Sequence, residues 1–235
     1  MKTAAVIVSA GKGHRLPGER KKQFLSLGGK PILCHTLDPF EACPYIDYIH
    51  LVVGQEDMTY TLREIVEAYG YRKISQIVPG GKLRQESVKN GIDALPGEVD
   101  IVAIHDGVRP FVTQKMIEAS IQGARQFKAV VLAMPAKETI KMAGPDRTVL
   151  NTLDRESLWL IQTPQTFQVD LIRQALHKAT EDGFIGTDDA SLVERIGGKV
   201  HILPGSYTNI KITTPEDLLL ASLLLQRRGL DAKEE

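Results

Sequence analysis

Three glycine-bearing segments hold the residues that could do chemistry, and the first is Ala10-Gly11-Lys12-Gly13-His14-Arg15-Leu16. Two glycines let the backbone come close to a phosphate, with amide N–H groups pointing inward. Taken alone, the same glycines serve equally well in a tight strand-to-helix turn. The segment is not a P-loop, because no Gly-Lys-Ser/Thr closes it. Leu16 stands where a dinucleotide fingerprint needs its third glycine. The cations set it apart: Lys12, Arg15, Arg20, Lys21 and Lys22. A triphosphate carries about four negative charges, and its chemistry is catalysed mainly by positioning and charge neutralisation. The stretch from Ala10 to Gln23 therefore reads as a grip on a nucleotide triphosphate.

The second segment is Gly80-Gly81-Lys82-Leu83-Arg84-Gln85-Glu86-Ser87-Val88. Its glycines admit a flat ligand close to the backbone, and Ser87 falls about one turn into the helix that follows, within reach of a base edge. A helix start with a polar first turn is the competing reading. The third is His105-Asp106-Gly107-Val108-Arg109-Pro110. Asp106, just past a strand, suits a ribose contact or Mg²⁺, which takes few carboxylates alongside phosphate oxygens. Arg109 suits an anion. His105 reads as a structural histidine. Three later pieces are polar without a need of bulk structure: Asp154-Arg155, Gln162-Thr163-Pro164-Gln165 and Thr187-Asp188-Asp189-Ala190. Thr187 is either a helix N-cap or an anion contact at a helix start. Lys211, flanked by Ile210 and Ile212 in a strand-like stretch, points opposite to them.

Alternating strands and helices must position these segments. Short β-branched runs mark strands at Ala4–Ser9, Ile49–Val53, Ile74–Val78, Ile101–His105, Ala129–Ala133 and Val200–Leu203. Helical patterns fill Pro31–Cys43, Glu56–Tyr69, Gln85–Leu95, Thr113–Phe127, Gln168–Asp182 and Asp188–Ile196. A last helix opens on Thr214, with Pro215 at its first position and Asp217 completing a capping box. The pattern predicts an α/β fold: a Rossmann-like, mostly parallel sheet covered by helices on both faces. Ligands bind such sheets at the carboxyl ends of the strands, and the unusual segments lie just there. One stretch breaks the alternation. Thr139–Met142 and Thr148–Leu153 flank a turn and read as a β-hairpin arm at about 138–157. An isolated hairpin is marginal in water, so the arm is expected to exchange between two copies of the chain. The rest reads as one domain spanning 1–235.

The bulk properties exclude other classes. Of 235 residues, 43% are apolar and 25% charged, and the formal net charge is zero. A global basic field for nucleic acid is thus absent, and any anion site is local. No apolar run approaches the roughly 18 residues that span a membrane, and no signal-peptide pattern opens the chain, so a cytoplasmic protein is expected. Cys34 and Cys43 form no metal-binding pattern and read as ordinary thiols.

Taken in order, these segments resemble the 2-C-methyl-D-erythritol 4-phosphate cytidylyltransferase family. Ala10 to Arg15, Lys22-Gln23-Phe24, Gly80-Gly81-x-x-Arg84-x-x-Ser87-Val88 and His105 to Pro110 carry the likeness. So do Asp154-Arg155 through Trp159, Gln162 to Gln165, Thr187 to Ala190 and Asn209-Ile210-Lys211. The resemblance implies transfer of CMP from CTP to 2-C-methyl-D-erythritol 4-phosphate, releasing pyrophosphate with Mg²⁺ present. It implies catalytic roles for Arg15, Lys22, Arg155 from a partner subunit, and Lys211. It implies that Ala10, Gly11, Gly13, Gly81, Ser87, Asp106 and Gly107 hold the nucleotide, with Asp106 near the metal. Arg109, Thr139 and Thr187 would surround the acceptor. A ribitol-5-phosphate cytidylyltransferase is the rival on the same fold, and a non-catalytic nucleotide-binding module is a second. Three residues depart from the family's usual pattern: Leu16 for Met, Lys21 for Pro, and Lys82 for an acidic residue.

Overall fold

The computed structural model describes residues 1–11 and 21–231, with side chains up to residue 228. The chain begins with β1 (Lys2–Ser9), a run of Ala, Val and Ile that the sheet buries on both sides. After the short strands β2 (Ser26–Leu27) and β3 (Lys30–Pro31) come α1 (Ile32–Ala42) and β4 (Tyr48–Val53). The region expected as one helix at 56–69 is composite: a 3₁₀ turn at Gln55–Asp57, a short α2 (Met58–Tyr60) and a π-helical stretch at Thr61–Glu67. Next come β5 (Ile74–Pro79), α3 (Arg84–Asp93), β6 (Val99–Asp106), α4 (Gln114–Phe127) and β7 (Ala129–Pro135). The strands β8 (Lys141–Ala143) and β9 (Val149–Thr152) pair with each other alone. The chain closes with β10 (Trp159–Gln168), α5 (Val169–Glu181), α6 (Asp189–Arg195), β11 (His201–Pro204) and α7 (Pro215–Asp231).

Seven strands form the main sheet in the order β11-β7-β10-β6-β1-β4-β5. All neighbours are parallel except β10, which runs antiparallel to both β6 and β7. The sheet is thus Rossmann-like and mostly parallel, as the alternation predicts. Successive residues of β1 serve opposite faces. Ala4 and Val6 pack with Val88 and Ile92 of α3 and Ile172 and Leu176 of α5. Ala5 and Ile7 pack with Leu33 and Leu37 of α1 and Ile117 and Ile121 of α4. Each fully buried Leu, Ile or Val contributes about 1.5–3 kcal/mol, so both faces anchor the strand ends firmly. Gly91 lets α3 lie close on the sheet, since a Cβ there would sit 2.6 Å from Val6 Cγ1 and 2.9 Å from Val52 Cγ2. Both cysteines are buried and unpaired, and burial pushes the Cys34 thiol up to about 11.

Two expectations need correction. The ten-residue strand β10 sits centrally between β6 and β7, where the sequence pattern marked no strand. Its pairing slips between Ile161 and Gln165, which interrupts the strand's alternating pattern. The Asn209–Thr213 stretch is not a strand but an extended loop. Ile212 N–H donates to Val108 O at 2.9 Å, and Ile212 is fully buried beside Phe111 and Ala221. Lys211 therefore still points away from the core, because its neighbour is the anchored residue. Among the described residues, no helix is long and apolar enough to cross a membrane.

Candidate functional site

The carboxyl ends of β1, β4, β5 and β6 converge on a cleft of about 880 Å³. Ala10 and Gly11 follow β1 there, and Gly80 and Gly81 follow β5. Gly80 N–H donates to Val53 O at 2.7 Å, and a Cβ at Gly80 would overlap the Ala10 methyl group. The two glycine segments are thus pressed against each other, which only a residue without Cβ allows. Ser87 braces the turn: its hydroxyl accepts from Gly81 N–H at 3.0 Å and donates to Leu83 O at 3.1 Å. Glu86 closes it, accepting from Lys82 N–H at 2.7 Å and Leu83 N–H at 3.3 Å. The turn is therefore prebuilt, with the N–H groups of Gly81, Lys82 and Leu83 all satisfied within it.

A compact ion network lies at the floor. Asp106 accepts from Arg84 Nε at 3.1 Å through Oδ1, and from Lys211 Nζ at 3.0 Å and Arg109 Nε at 3.3 Å through Oδ2. Burial alone would push its carboxyl up, but the charges of Arg84, Lys211 and Arg109 outweigh burial and hold it well below the usual carboxylate range. Arg84 also grips Asp189 with two bonds, Nη1 to Oδ1 at 3.0 Å and Nη2 to Oδ2 at 2.8 Å. Arg109 Nη1 donates to Asn209 O at 2.8 Å, tying the Lys211 loop to β6. Three cations against two carboxylates leave one net positive charge beside the cleft, which suits an incoming phosphate.

His105 is structural. It is fully buried, and burial drives its pKa down to about 3. Asp106 N–H donates to Thr163 Oγ1 at 3.1 Å, so that hydroxyl gives its own proton to His105 Nδ1 at 2.9 Å. His105 Nε2–H then donates to Arg109 O at 3.2 Å. A neutral ring with its proton on Nε2 satisfies the whole chain.

The adjacent lysines part company. Lys21 Nζ is held by Glu56 and by Asp57, the latter at 2.6 Å, whereas Lys22 lines the cleft. Gly107 sits against Ser9, whose Oγ would lie 2.7 Å from any Cβ at residue 107. Arg155 lies on a short 3₁₀ turn after the hairpin, donating to Lys137 O at 2.9 Å, and does not line the cleft of its own chain. Thr139 and Thr187 are exposed and likewise do not line it. Thr187 is not the cap of α6; Asp188 is, accepting from Ser191 N–H at 2.9 Å. The Asp188 carboxylate, one residue nearer the helix, takes that bond. Arg15 and Gly13 fall outside the described residues.

Sequence reasoning gave no role to Arg84 or Asp189, although it quoted both within motifs. Only the fold shows that they meet, 105 positions apart. Among the described residues, no group of three or more His, Cys, Asp or Glu side chains could hold a metal. Both oxygens of Asp106 already face cations, so the described residues by themselves form no protein-built Mg²⁺ site.

Known proteins resemble this chain along nearly its whole length. The model of the IspD family, 2-C-methyl-D-erythritol 4-phosphate cytidylyltransferase, matches residues 3–227. The 2-C-methyl-D-erythritol 4-phosphate cytidylyltransferase of Geotalea uraniireducens is 46% identical over 228 residues, covering 96% of this chain and 97% of its own. That of Caldanaerobacter subterraneus subsp. tengcongensis is 45% identical over 227 residues, covering 97% and 100%. A crystal structure of 4-diphosphocytidyl-2C-methyl-D-erythritol synthase from Anaerococcus prevotii shares 34% identity at a TM-score of 0.85, covering 96% and 98%. Matched along nearly its whole length by the family model and by relatives of that name, the chain belongs to the 2-C-methyl-D-erythritol 4-phosphate cytidylyltransferase family.

Proposed function

We propose that this chain transfers CMP from CTP to 2-C-methyl-D-erythritol 4-phosphate, giving the CDP-alcohol and pyrophosphate, in the precursor route to isoprenoids that bypasses mevalonate. A phosphate oxygen of the acceptor attacks the α-phosphorus of CTP in line. The new P–O bond forms as the bond to the β-phosphate breaks, and pyrophosphate leaves with the electron pair. No covalent intermediate is required, so the protein's work is positioning and charge neutralisation. The observation that carries this reading is Lys211 reaching Asp106 in a cleft that Lys22 also lines.

Arg15 and Lys22 neutralise the α-phosphate and the departing pyrophosphate. Ala10, Gly11 and Gly13 offer backbone N–H groups to the phosphates. The Gly81 turn, braced by Ser87, holds cytosine, and Asp106 with Gly107 meets the ribose. Lys211 and Arg109 receive the acceptor phosphate, with Thr139 and Thr187 around it. Mg²⁺ enters as part of the substrate, on the triphosphate oxygens of CTP. The test is pyrophosphate release from CTP with each acceptor in turn. Turnover of 2-C-methyl-D-erythritol 4-phosphate is expected to dominate, and faster turnover of ribitol 5-phosphate would sink the choice.

The protein works as a cytoplasmic homodimer in which each arm crosses to the partner. Met142, Val149 and Leu150 on the hairpin are 50%, 60% and 65% exposed, more apolar surface than a two-stranded ribbon keeps in water at ease. Arg155 then reaches the partner's acceptor phosphate. Mixing inactive Arg155→Ala and Lys211→Ala chains tests this. Half of the dimers would be mixed, each with one intact site, so activity is expected to return to about a quarter of the parent's. No recovery in exchanged mixtures, or a fully active monomer by light scattering, removes the trans role.

A further inference from the structure

We propose that Lys21 is a positioning residue for cytidylyl transfer: its ammonium clamps Glu56 and Asp57 and thereby fixes the turn from which Lys22 enters the cleft. The proposal rests on the reading that Lys22 meets the triphosphate. Lys22 lies between two fastened neighbours. On one side Lys21 Nζ is 2.6 Å from Asp57 Oδ2 and also bonds Glu56. On the other, Gln23, itself buried, donates from Nε2 to Ser9 O at 2.8 Å. Phe24 N–H closes the turn on Lys21 O at 2.9 Å. The acidic segment is fixed as well, since Asp57 N–H donates to Gly54 O at 2.9 Å directly after β4. A Cβ at Gly54 would fall 2.7 Å from Asp57 Oδ2 and 3.0 Å from Lys21 Nζ, so the glycine leaves the pair its room.

The Asp57 half of the clamp differs from an ordinary surface pair, whereas the Glu56 side chain is 62% exposed. The Lys21 and Asp57 side chains are 21% and 14% exposed, and partial burial holds ion-pair geometry more tightly than open solvent does. Burial opposes the charge on Lys21, but the bonds to Asp57 and Glu56 outweigh it and raise its pKa. Charge is the second part of the role. Glu56 lines the cleft, and Asp57 follows Glu56 in the chain. Without Lys21, Glu56 and Asp57 would lose the cation they share, beside the cleft that takes the most highly charged substrate.

The test compares Lys21→Met, Lys21→Arg and the triple variant Lys21→Met/Glu56→Gln/Asp57→Asn, measuring kcat, KM for each substrate, and Tm. Lys21→Met is expected to lower kcat/KM for CTP about tenfold, with KM for the acceptor unchanged. Lys21→Arg keeps it within about threefold of the parent, and the triple variant regains much of the CTP KM by removing the repelling charges. A kcat/KM for CTP within about twofold of the parent in Lys21→Met overturns the clamp. So does a loss that falls equally on both substrates and follows Tm, the mark of a merely structural residue. If Lys22→Ala keeps its activity, the Lys22 reading fails instead. If Lys22→Ala is inactive while Lys21→Met is not, the clamp alone fails.

Discussion

Lys211→Met is expected to lower kcat about a thousandfold, the upper range for losing one preorganised charge at a reacting phosphate, while leaving the fold standing. Lys211 Nζ lies 3.0 Å from Asp106 Oδ2, and its side chain is 37% exposed. The lysine is therefore anchored at its base by buried Ile212 but open at its tip to the cleft. Its loss costs the fold little, because Arg84 and Arg109 still hold Asp106. It costs the reaction much. Two unit charges about 4 Å apart at an effective dielectric near 20 interact by roughly 4 kcal/mol, which corresponds to about three powers of ten in rate. The acceptor phosphate would also approach Asp106 with one fewer cation between them. Lys211→Arg should recover part of the rate, since a guanidinium keeps the charge but spreads it over a planar fork. Rapid-quench turnover with saturating substrates measures the step, and CTP affinity by titration should stay near the parent's. A kcat within about tenfold of the parent would remove Lys211 from the reaction.

Much of this is legible in the sequence. The alternation of β-branched runs with amphipathic ones located β1, β4, β5, β6, β7 and β11, because a parallel sheet covered on both faces needs apolar strands throughout. Thr214, Pro215 and Asp217 marked the start of α7, where Asp217 Oδ2 does accept from Thr214 N–H at 2.8 Å. What stayed hidden was non-local. β10 carries Gln162 to Gln165 inside it, and its slip in pairing with β7 masks the period that would reveal a strand. Arg84 looked like a polar helix start, because its importance comes from Asp106 and Asp189, which chain folding brings to it. Lys21 and Lys22 were indistinguishable by type. The resemblance singled out Lys22 through Lys22-Gln23-Phe24, and the position of Glu56 and Asp57 after β4 gives the physical difference between the clamped lysine and the one in the cleft. Local signals thus revealed the scaffold and the cations, whereas the counter-charges that organise them come from tertiary structure.

Arg84→Met carries the largest expected effect on stability. Asp189 has a side chain only 2% exposed and a two-bond grip on Arg84. Removing one partner of a buried pair costs about 3–5 kcal/mol, because the other charge stays buried without compensation. Total stability of a domain is only about 5–15 kcal/mol, so Tm should fall on the order of 10 °C for a chain of this size. Asp106 suffers less, since Arg109 and Lys211 remain and it borders the open cleft. The pH dependence identifies the cause. Burial already raises the pKa of Asp189, and Arg84 is what opposes it. Without Arg84 the folded-state pKa rises further above the unfolded value. An acid with a raised folded pKa destabilises above the unfolded value, and that penalty shrinks as pH falls toward and below the raised one. The Tm gap between Arg84→Met and the parent should therefore narrow from neutral toward mildly acidic pH. Adding Asp189→Asn to Arg84→Met should close most of the gap at neutral pH, because it removes the stranded charge while keeping the shape. Thermal denaturation of the three proteins at both pH values decides the matter. A gap that is small at neutral pH, or that widens on acidification, would mean that Arg84 is not what keeps Asp189 ionised inside the protein.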